Sequence, residues 1–135
     1  MNAYMLNLGL ESLHVRMQRH CENGMAVAKF LEAHPKVAYV NYCGLESSPY
    51  HALAEKYLPN GSCGVVSFGL AGGREAASTF MKELKLAAIE THVADARTCC
   101  LNPASSTHRQ LVRMSCGLES SEDLIADIAQ ALDKI

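Results

Sequence analysis

Several signatures of common function classes are missing from this sequence of 135 residues. Its formal net charge is −2 and it has no basic stripe, so nucleic-acid binding lacks an electrostatic basis. No apolar run approaches the roughly 20 residues that a membrane-spanning helix needs. The first residues, MNAYMLNLGLESLH, lack the basic region that opens a secretory signal. We therefore expect no nucleic-acid partner, no membrane partner and no export.

The short motifs that hold phosphate groups or metal ions are missing as well. Neither G-x-G-x-x-G nor G-x-x-x-x-G-K-[ST] occurs, and the G-x-S-x-G motif of a serine nucleophile is absent. The six cysteines form no C-x-x-C pair, so we predict no metal site. Free thiols in a reducing cytosol fit these cysteines better than disulfides, which indicates a cytoplasmic protein.

The residues that are present have the composition of a globular protein. Apolar residues make up 49% of the chain and charged residues 19%, and the length suffices for one sizeable core. The sequence contains no internal repeat, no low-complexity segment and no linker. We predict a single domain over residues 1–135.

One apolar stripe runs through residues 2–33 at alternating spacings of four and three. Its members are Leu6, Leu10, Leu13, Met17, His20, Gly24, Val27 and Leu31. The spacing predicts one long helix or two nearly collinear helices, on the order of 40 Å in length. Most of the stripe is expected to face the core, and His20 to be a hydrogen-bonded core histidine. The N-terminal half is expected to project beyond the core and to need a partner.

Turn residues separate the remaining predicted elements. Strands are predicted at 36–44, 63–70, 86–94 and 111–117, and helices at 47–61, after residue 73, and after residue 120. A loop with Cys99 and Cys100 joins the last two strands. Ser120 is expected to cap the last helix, with Lys134 in its final turn. This order predicts an α/β (α+β) domain with a mostly antiparallel or mixed sheet and helices on one face.

An arginine interrupts the last predicted strand, LVRMSC. Strand alternation puts Val112 and Met114 on the face that suits helix packing, and Arg113 on the other face. A guanidinium there suits bidentate capture of a carboxylate or phosphate. Alternation alone favours an ordinary solvated arginine, so both interpretations stay open. Asp95 and Arg97 either pair locally or line the same opening.

A cysteine–histidine pair is a weaker alternative for catalysis. Cys99 or Cys100 with His92 or His108 supplies the residue types of a thiol nucleophile and its base. Nothing in their spacing enforces contact between them.

Three segments then carry a resemblance: SPYHALAEKYLP, NPASSTH and VRMSCGLESSEDLIADIAQALDKI. With most of the remaining chain, they resemble the C-terminal domain of the Cys/Met-metabolism pyridoxal-phosphate enzymes, and within that family most resemble O-acetylhomoserine sulfhydrylase. The resemblance implies the small domain of a fold-type I enzyme, with a largely antiparallel sheet. It also implies a γ-replacement reaction, in which sulfide or a thiol displaces the acetoxy group of O-acetylhomoserine to give homocysteine or methionine.

The resemblance also assigns site residues. Arg113 in VRMSCGLE matches the family arginine of IRLSVGLE, which binds the substrate α-carboxylate. The stretch HVADARTCC resembles the family's NVGDAKSLI, and its residues up to Thr98 are expected to supply further contacts to the same group. His92 replaces the family asparagine and Ala94 the glycine, while Asn102 replaces a histidine, so substrate preference is open. We predict Arg113, His92 and Thr98 as substrate-binding residues.

The family's Schiff-base lysine follows a Ser/Thr-rich stretch in the large domain. None of the six lysines lies in such a motif; they are Lys29, Lys36, Lys56, Lys82, Lys85 and Lys134. We expect the large pyridoxal-phosphate domain to be absent, and this chain alone to bind no cofactor tightly and to be inactive. Gln110 is followed directly by Leu111, whereas the family has a longer stretch of residues at this point. The alternative function is an interaction module that pairs with a separate large domain or with itself as a homo-oligomer.

Overall fold

The computed structural model describes residues 1–103 and 110–135, and the helices and strands below are those of the described residues. The helices are α1 (Asn2–Glu11), α2 (Leu13–Glu32), α3 (His51–Tyr57), α4 (Gly73–Glu83) and α5 (Ser121–Leu132). The strands are β1 (Val37–Asn41), β2 (Val65–Leu70), β3 (Ala88–Ile89), β4 (Cys99–Leu101) and β5 (Leu111–Ser115).

The strands form one mixed sheet in the order β1-β2-β5-β4-β3. All neighbours are antiparallel except β3 and β4, which are parallel. The predicted α/β class and mixed sheet are therefore confirmed. The central strand is β5, the strand that contains Arg113.

Two predictions about the strands are wrong. The stretch predicted as a loop around Cys99 and Cys100 forms β4, and the predicted strand 86–94 shrinks to the two residues of β3. A three-residue strand shows no alternation in its sequence, and β4 exists because it pairs with β5 on one side and β3 on the other. Pairing of this kind is a tertiary property that periodicity does not report.

The hydrophobic core lies on one face of the sheet. Val112, Met114 and Cys116 are fully buried there together with Phe68 of β2 and Phe80 of α4, whose rings meet edge to face with centroids 5.7 Å apart. Helices α2, α4 and α5 cover this face. Helices on one face leave Arg113, which alternates with Val112 and Met114, on the other.

The predicted long helix is two helices that meet at Ser12. Ser12 has φ −105° and ψ 6°, and the guanidinium of Arg16 donates across the junction to the Gly9 carbonyl oxygen and the Ser12 hydroxyl. None of the residues of α1 is buried, whereas α2 buries His20 and Val27 among others. The projecting N-terminal half is therefore confirmed.

Both ends of α5 differ from the prediction. Ser120 occupies the N-cap position with an extended backbone, but its side chain makes no capping hydrogen bond among the described residues. Lys134 lies beyond the helix, which ends at Leu132. The Nζ of Lys36 donates to the Leu132 carbonyl oxygen at 2.9 Å, so a lysine distant in sequence holds the C-terminal end. No helix of the described residues is long and apolar enough to cross a membrane.

Candidate functional site

Arg113 lies in the middle of the sheet, on the face away from the helices. Its β-sheet neighbours are Ser67 on β2 and Leu101 on β4. Nη2 of Arg113 donates to the Thr91 carbonyl oxygen at 2.9 Å. A guanidinium carries five N–H donors in a rigid fork, so this hydrogen bond orients the group while using only one of them. The geometry suits an anion that approaches the open face.

Residues 90–98, which we call the arginine loop, connect β3 to β4 and lie beside the end of β5. The Ala94 amide donates to the Ser115 hydroxyl at 3.0 Å, and the Leu118 amide donates to the Ala96 carbonyl oxygen at 2.9 Å. Ala94 has φ 61°, a left-handed conformation that glycine adopts without steric cost. This backbone angle explains why the resembling family sequence has glycine at that position.

The C-terminal end of the arginine loop is anchored by the half-buried carboxylate of Glu119. Glu119 Oε1 accepts from the Thr98 amide at 2.6 Å, and Glu119 Oε2 accepts from the Thr98 hydroxyl at 2.8 Å. Thr98 Oγ1 in turn accepts from the Gly117 amide at 2.7 Å. Thr98 is fully buried. We call Thr98, Gly117 and Glu119 the Glu119 clasp. A Cβ on Gly117 would lie 2.5 Å from the Thr98 nitrogen and from the Ala96 carbonyl oxygen, so the clasp closes only around a glycine.

Helix α2 holds the same turn from the opposite side. Nδ1 of His20 lies 2.7 Å from the Cys116 carbonyl oxygen, and the Asn23 side-chain amide donates to the carbonyl oxygens of Gly117 and Glu119, each at 2.9 Å. His20 is 2% exposed, which confirms its prediction as a hydrogen-bonded core histidine. Sequence analysis missed Asn23 and Glu119. The sequence does place Asn23 beside the apolar stripe, three residues after His20, where a polar side chain indicates a buried hydrogen bond.

His92 lies on the arginine loop with an exposed ring. Its Nδ1 is 2.7 Å from Glu90 Oε2, and its carbonyl oxygen accepts from the Cys99 thiol at 3.0 Å. The cysteine–histidine hypothesis is therefore wrong for His92, because the thiol contacts its backbone and not its ring. Burial raises the pKa of Cys99 and raises the pKa of Cys100 to about 12, whereas a nucleophilic thiol needs a lowered pKa. The other candidate base, His108, lies outside the described residues.

The remaining polar candidates are local. Asp95 Oδ1 accepts from the Arg97 backbone amide at 3.0 Å, so this pair interacts through the backbone in a tight turn. All six cysteines are free thiols, as predicted. Within residues 1–103 and 110–135, no group of three potential ligands is placed to hold a metal ion.

The residues around Arg113 do not fit a Schiff-base cofactor site. The described strands contain no lysine, and the lysines lie on helices α2, α3 and α4 or in the segments that flank the elements. Lys36, whose Nζ has a partner, holds the end of α5. The described residues place the Arg113 guanidinium on the open sheet face, and no described strand places a lysine amine beside it.

Comparison with known proteins decides the family. The model of the Cys/Met metabolism PLP-dependent enzymes matches residues 1–133. The chain belongs to this family. Homocysteine synthase of Schizosaccharomyces pombe is 44% identical over 97% of this chain, and L-methionine gamma-lyase of Treponema denticola is 40% identical over 98%. The crystal structure of a putative O-acetylhomoserine (thiol)-lyase from Campylobacter jejuni, which contains N'-pyridoxyl-lysine-5'-monophosphate, matches 98% of this chain with 36% identity and a TM-score of 0.92.

The Cys/Met-family chain spans about a third of these relatives. It covers 34% of the Schizosaccharomyces pombe protein, 36% of the Treponema denticola protein and 35% of the Campylobacter jejuni chain. The alignment with the Schizosaccharomyces pombe protein extends over 145 positions, more than the 135 residues present here, so that relative has residues without a counterpart in this chain. That they fall between Gln110 and Leu111 stays a prediction.

Proposed function

We propose that this chain is the C-terminal, substrate-carboxylate-binding domain of an O-acetylhomoserine sulfhydrylase-like enzyme. The observation that carries the proposal is the position of Arg113, on the central strand and on the helix-free face, with its guanidinium oriented by the Thr91 carbonyl oxygen. A bidentate arginine–carboxylate pair supplies both affinity and orientation. Arg113 would hold the α-carboxylate of an amino acid such as O-acetylhomoserine, while sulfide or a thiol replaces the γ-substituent.

The division of labour with the rest of the enzyme follows from the residues available. Pyridoxal phosphate supplies the electron sink for this family's chemistry when it is bound. This chain binds and orients the carboxylate, and the lysine and the cofactor phosphate site belong to a large domain of the same or another chain. We therefore propose that the isolated chain is inactive and binds pyridoxal phosphate weakly. The six free thiols support a reducing, cytoplasmic location.

His92 and Thr98 enter the proposal in different ways. The exposed ring of His92, paired with Glu90, lies on the arginine loop where it can meet the substrate or the other domain. Thr98 is fully buried, and both its amide and its hydroxyl are engaged with Glu119. Direct contact of Thr98 with the substrate stays a prediction that these hydrogen bonds do not favour.

The proposal is tested in a chimera that joins this chain to the N-terminal portion of the Campylobacter jejuni relative. We expect Arg113→Lys to raise the KM for O-acetylhomoserine by about a hundredfold, because lysine cannot form the bidentate pair. Arg74→Lys, at an exposed position on α4, is the matched control and should leave the KM unchanged. An Arg113→Lys enzyme with the KM of the parent chimera would reject the carboxylate role.

A stand-alone interaction module is the second candidate, and α1 is the observation that favours it. Its apolar side chains are exposed, including Leu6 at 70% and Leu10 at 61%. Exposed apolar surface of this extent is typical of an interface. Sedimentation of the chain, alone and with a separately expressed large domain, tests this candidate. A Leu6→Gln, Leu10→Gln double variant should lose any association, and a wild-type chain that stays monomeric in both experiments would exclude it.

A further inference from the structure

We infer that Thr98 and Glu119 are positioning residues for carboxylate binding: the Glu119 clasp fixes the arginine loop, and the loop orients the Arg113 guanidinium. The inference rests on the proposed function of Arg113 and extends it to two residues that need not touch the substrate. The connection runs through the hydrogen bonds of the clasp, the loop backbone from Thr98 to Thr91, and the hydrogen bond from Arg113 to the Thr91 carbonyl oxygen.

The arginine loop is held differently at its two ends. Near its start, the contacts are the hydrogen bond from the Glu90 amide to the Cys100 carbonyl oxygen at 3.1 Å, the one from Arg113 to the Thr91 carbonyl oxygen, and the weak one from the Cys99 thiol to the His92 carbonyl oxygen. At its end, the buried Thr98 forms three short hydrogen bonds with Glu119 and Gly117. Thr91 lies between these two sets of contacts, and we expect the anchoring of the far end to contribute to the position of its carbonyl oxygen and so of the guanidinium.

The Thr98 hydroxyl does two things at once. It donates to Glu119 Oε2 and accepts from the Gly117 amide. Valine has nearly the same shape but can do neither, and it would leave a half-buried carboxylate oxygen and a buried amide without these partners. Serine retains both hydrogen bonds. Thr98→Val and Thr98→Ser are thus a matched pair that separates the hydroxyl from the volume of the side chain.

Glu119 and Arg113 also share an electrostatic environment. The buried Cys99 thiol has its pKa raised chiefly by burial, but Arg113 lowers it while Glu119 is among the carboxylates that raise it. The pKa of the Cys99 thiol therefore responds to the charges of both Arg113 and Glu119. The Thr98 amide and hydroxyl both donate to the half-buried carboxylate of Glu119.

The first experiment follows the ligand-free chain by NMR. We expect Thr98→Val to broaden or shift the Arg113 guanidinium resonances and to speed hydrogen exchange of the Ala94 amide by about tenfold or more, since that amide is bonded to Ser115 within the loop. Thr98→Ser should leave the Arg113 guanidinium resonances and the exchange rate of the Ala94 amide as they are in wild type. Tyr42→Phe removes another buried hydroxyl, which donates to the Cys63 carbonyl oxygen at 2.8 Å, and controls for general destabilisation. Arg113 resonances that stay unchanged in Thr98→Val would overturn the inference.

The second experiment uses the chimera. Thr98→Val and Glu119→Ala should each raise the KM for O-acetylhomoserine by about tenfold while kcat falls by less than about threefold, and Thr98→Ser should behave as wild type. Tyr42→Phe should change neither parameter. If Arg113→Lys raises the KM but Thr98→Val does not, the positioning role is wrong and the proposed function stands. If Arg113→Lys itself has no effect, the proposed function fails, and the NMR result alone decides whether the clasp orients Arg113.

Discussion

Leu31 and Leu6 belong to the same apolar stripe, yet Leu31 is fully buried and Leu6 is 70% exposed. Both lie on helices, and the same spacing of three and four relates them to their neighbours. The second half of the stripe packs on β1, β2 and α5, whereas α1 contacts only the neighbouring helix α2 to any extent. The difference lies in what faces each half, and not in the pattern itself.

The sheet is small compared with the combined length of the two helices that carry the apolar stripe. Five strands about 4.8 Å apart span roughly 20 to 25 Å, while 20 residues of α2 extend about 30 Å and α1 adds about 15 Å. The two helices together are therefore longer than the sheet is wide, and α1 has no buried residue. Periodicity identifies an apolar face, but a second surface is needed to bury it.

The most sensitive test of this comparison is to truncate one leucine in each half of the apolar stripe. Leu31→Ala should lower the free energy of unfolding by about 2–5 kcal/mol, because it leaves a cavity in a closed core. Leu6→Ala should change it by less than about 0.5 kcal/mol. Urea denaturation followed by circular dichroism measures both. Equal losses from the two variants would mean that α1 is packed in solution and that the comparison is wrong.

Glycines offer a second contrast, because replacing a glycine by alanine should change stability in opposite directions in the two halves of the stripe. A Cβ at Gly24 would lie 2.6 Å from the Cys63 carbonyl oxygen, whereas a Cβ at Gly9 meets nothing within 4 Å. Gly24→Ala should destabilise the chain by about 1–3 kcal/mol through overpacking. Gly9→Ala should raise the helicity of α1 and stabilise it by up to about 1 kcal/mol. Thermal unfolding of the two variants beside wild type tests the pair, and a stabilising Gly24→Ala would contradict the close packing of α2 on the sheet.

Alkaline pH provides a third contrast, which is confined to the buried side. Burial raises the pKa of both Cys100 and Cys116 from 9.0 to about 12. The unfolded chain therefore loses these protons first, and stability should fall between about pH 9 and 12, by up to about 1.4 kcal/mol per pH unit for each thiol. Cys116→Ala should reduce that slope relative to wild type. Identical slopes in the two proteins, measured by urea denaturation at several pH values, would mean that Cys116 is not shielded.

Much of the fold could be predicted because its larger elements carry local patterns. The helical stripe, the strand around Phe68 and the alternation around Arg113 each depend on neighbours that are two to four residues apart in the sequence. The strand β4 could not be predicted, because it is three residues long and is defined by its partners. The candidate site divides in the same way: alternation put Arg113 on the open face, but its contact with Thr91 joins residues 22 apart in sequence, and no local pattern predicts it.

By itself, the sequence determined that this chain forms amphipathic helices and a sheet with one apolar face, and that an arginine interrupts the opposite face of a strand. These features depend on neighbours three, four or two residues away, and the resemblance to the Cys/Met family supplied the expected role of Arg113. Only the tertiary structure decided which half of the stripe is buried and that Thr98 and Glu119 meet at the end of the arginine loop. The physical reason is that burial and hydrogen bonding both require a second surface, which chain folding brings from a distant part of the sequence.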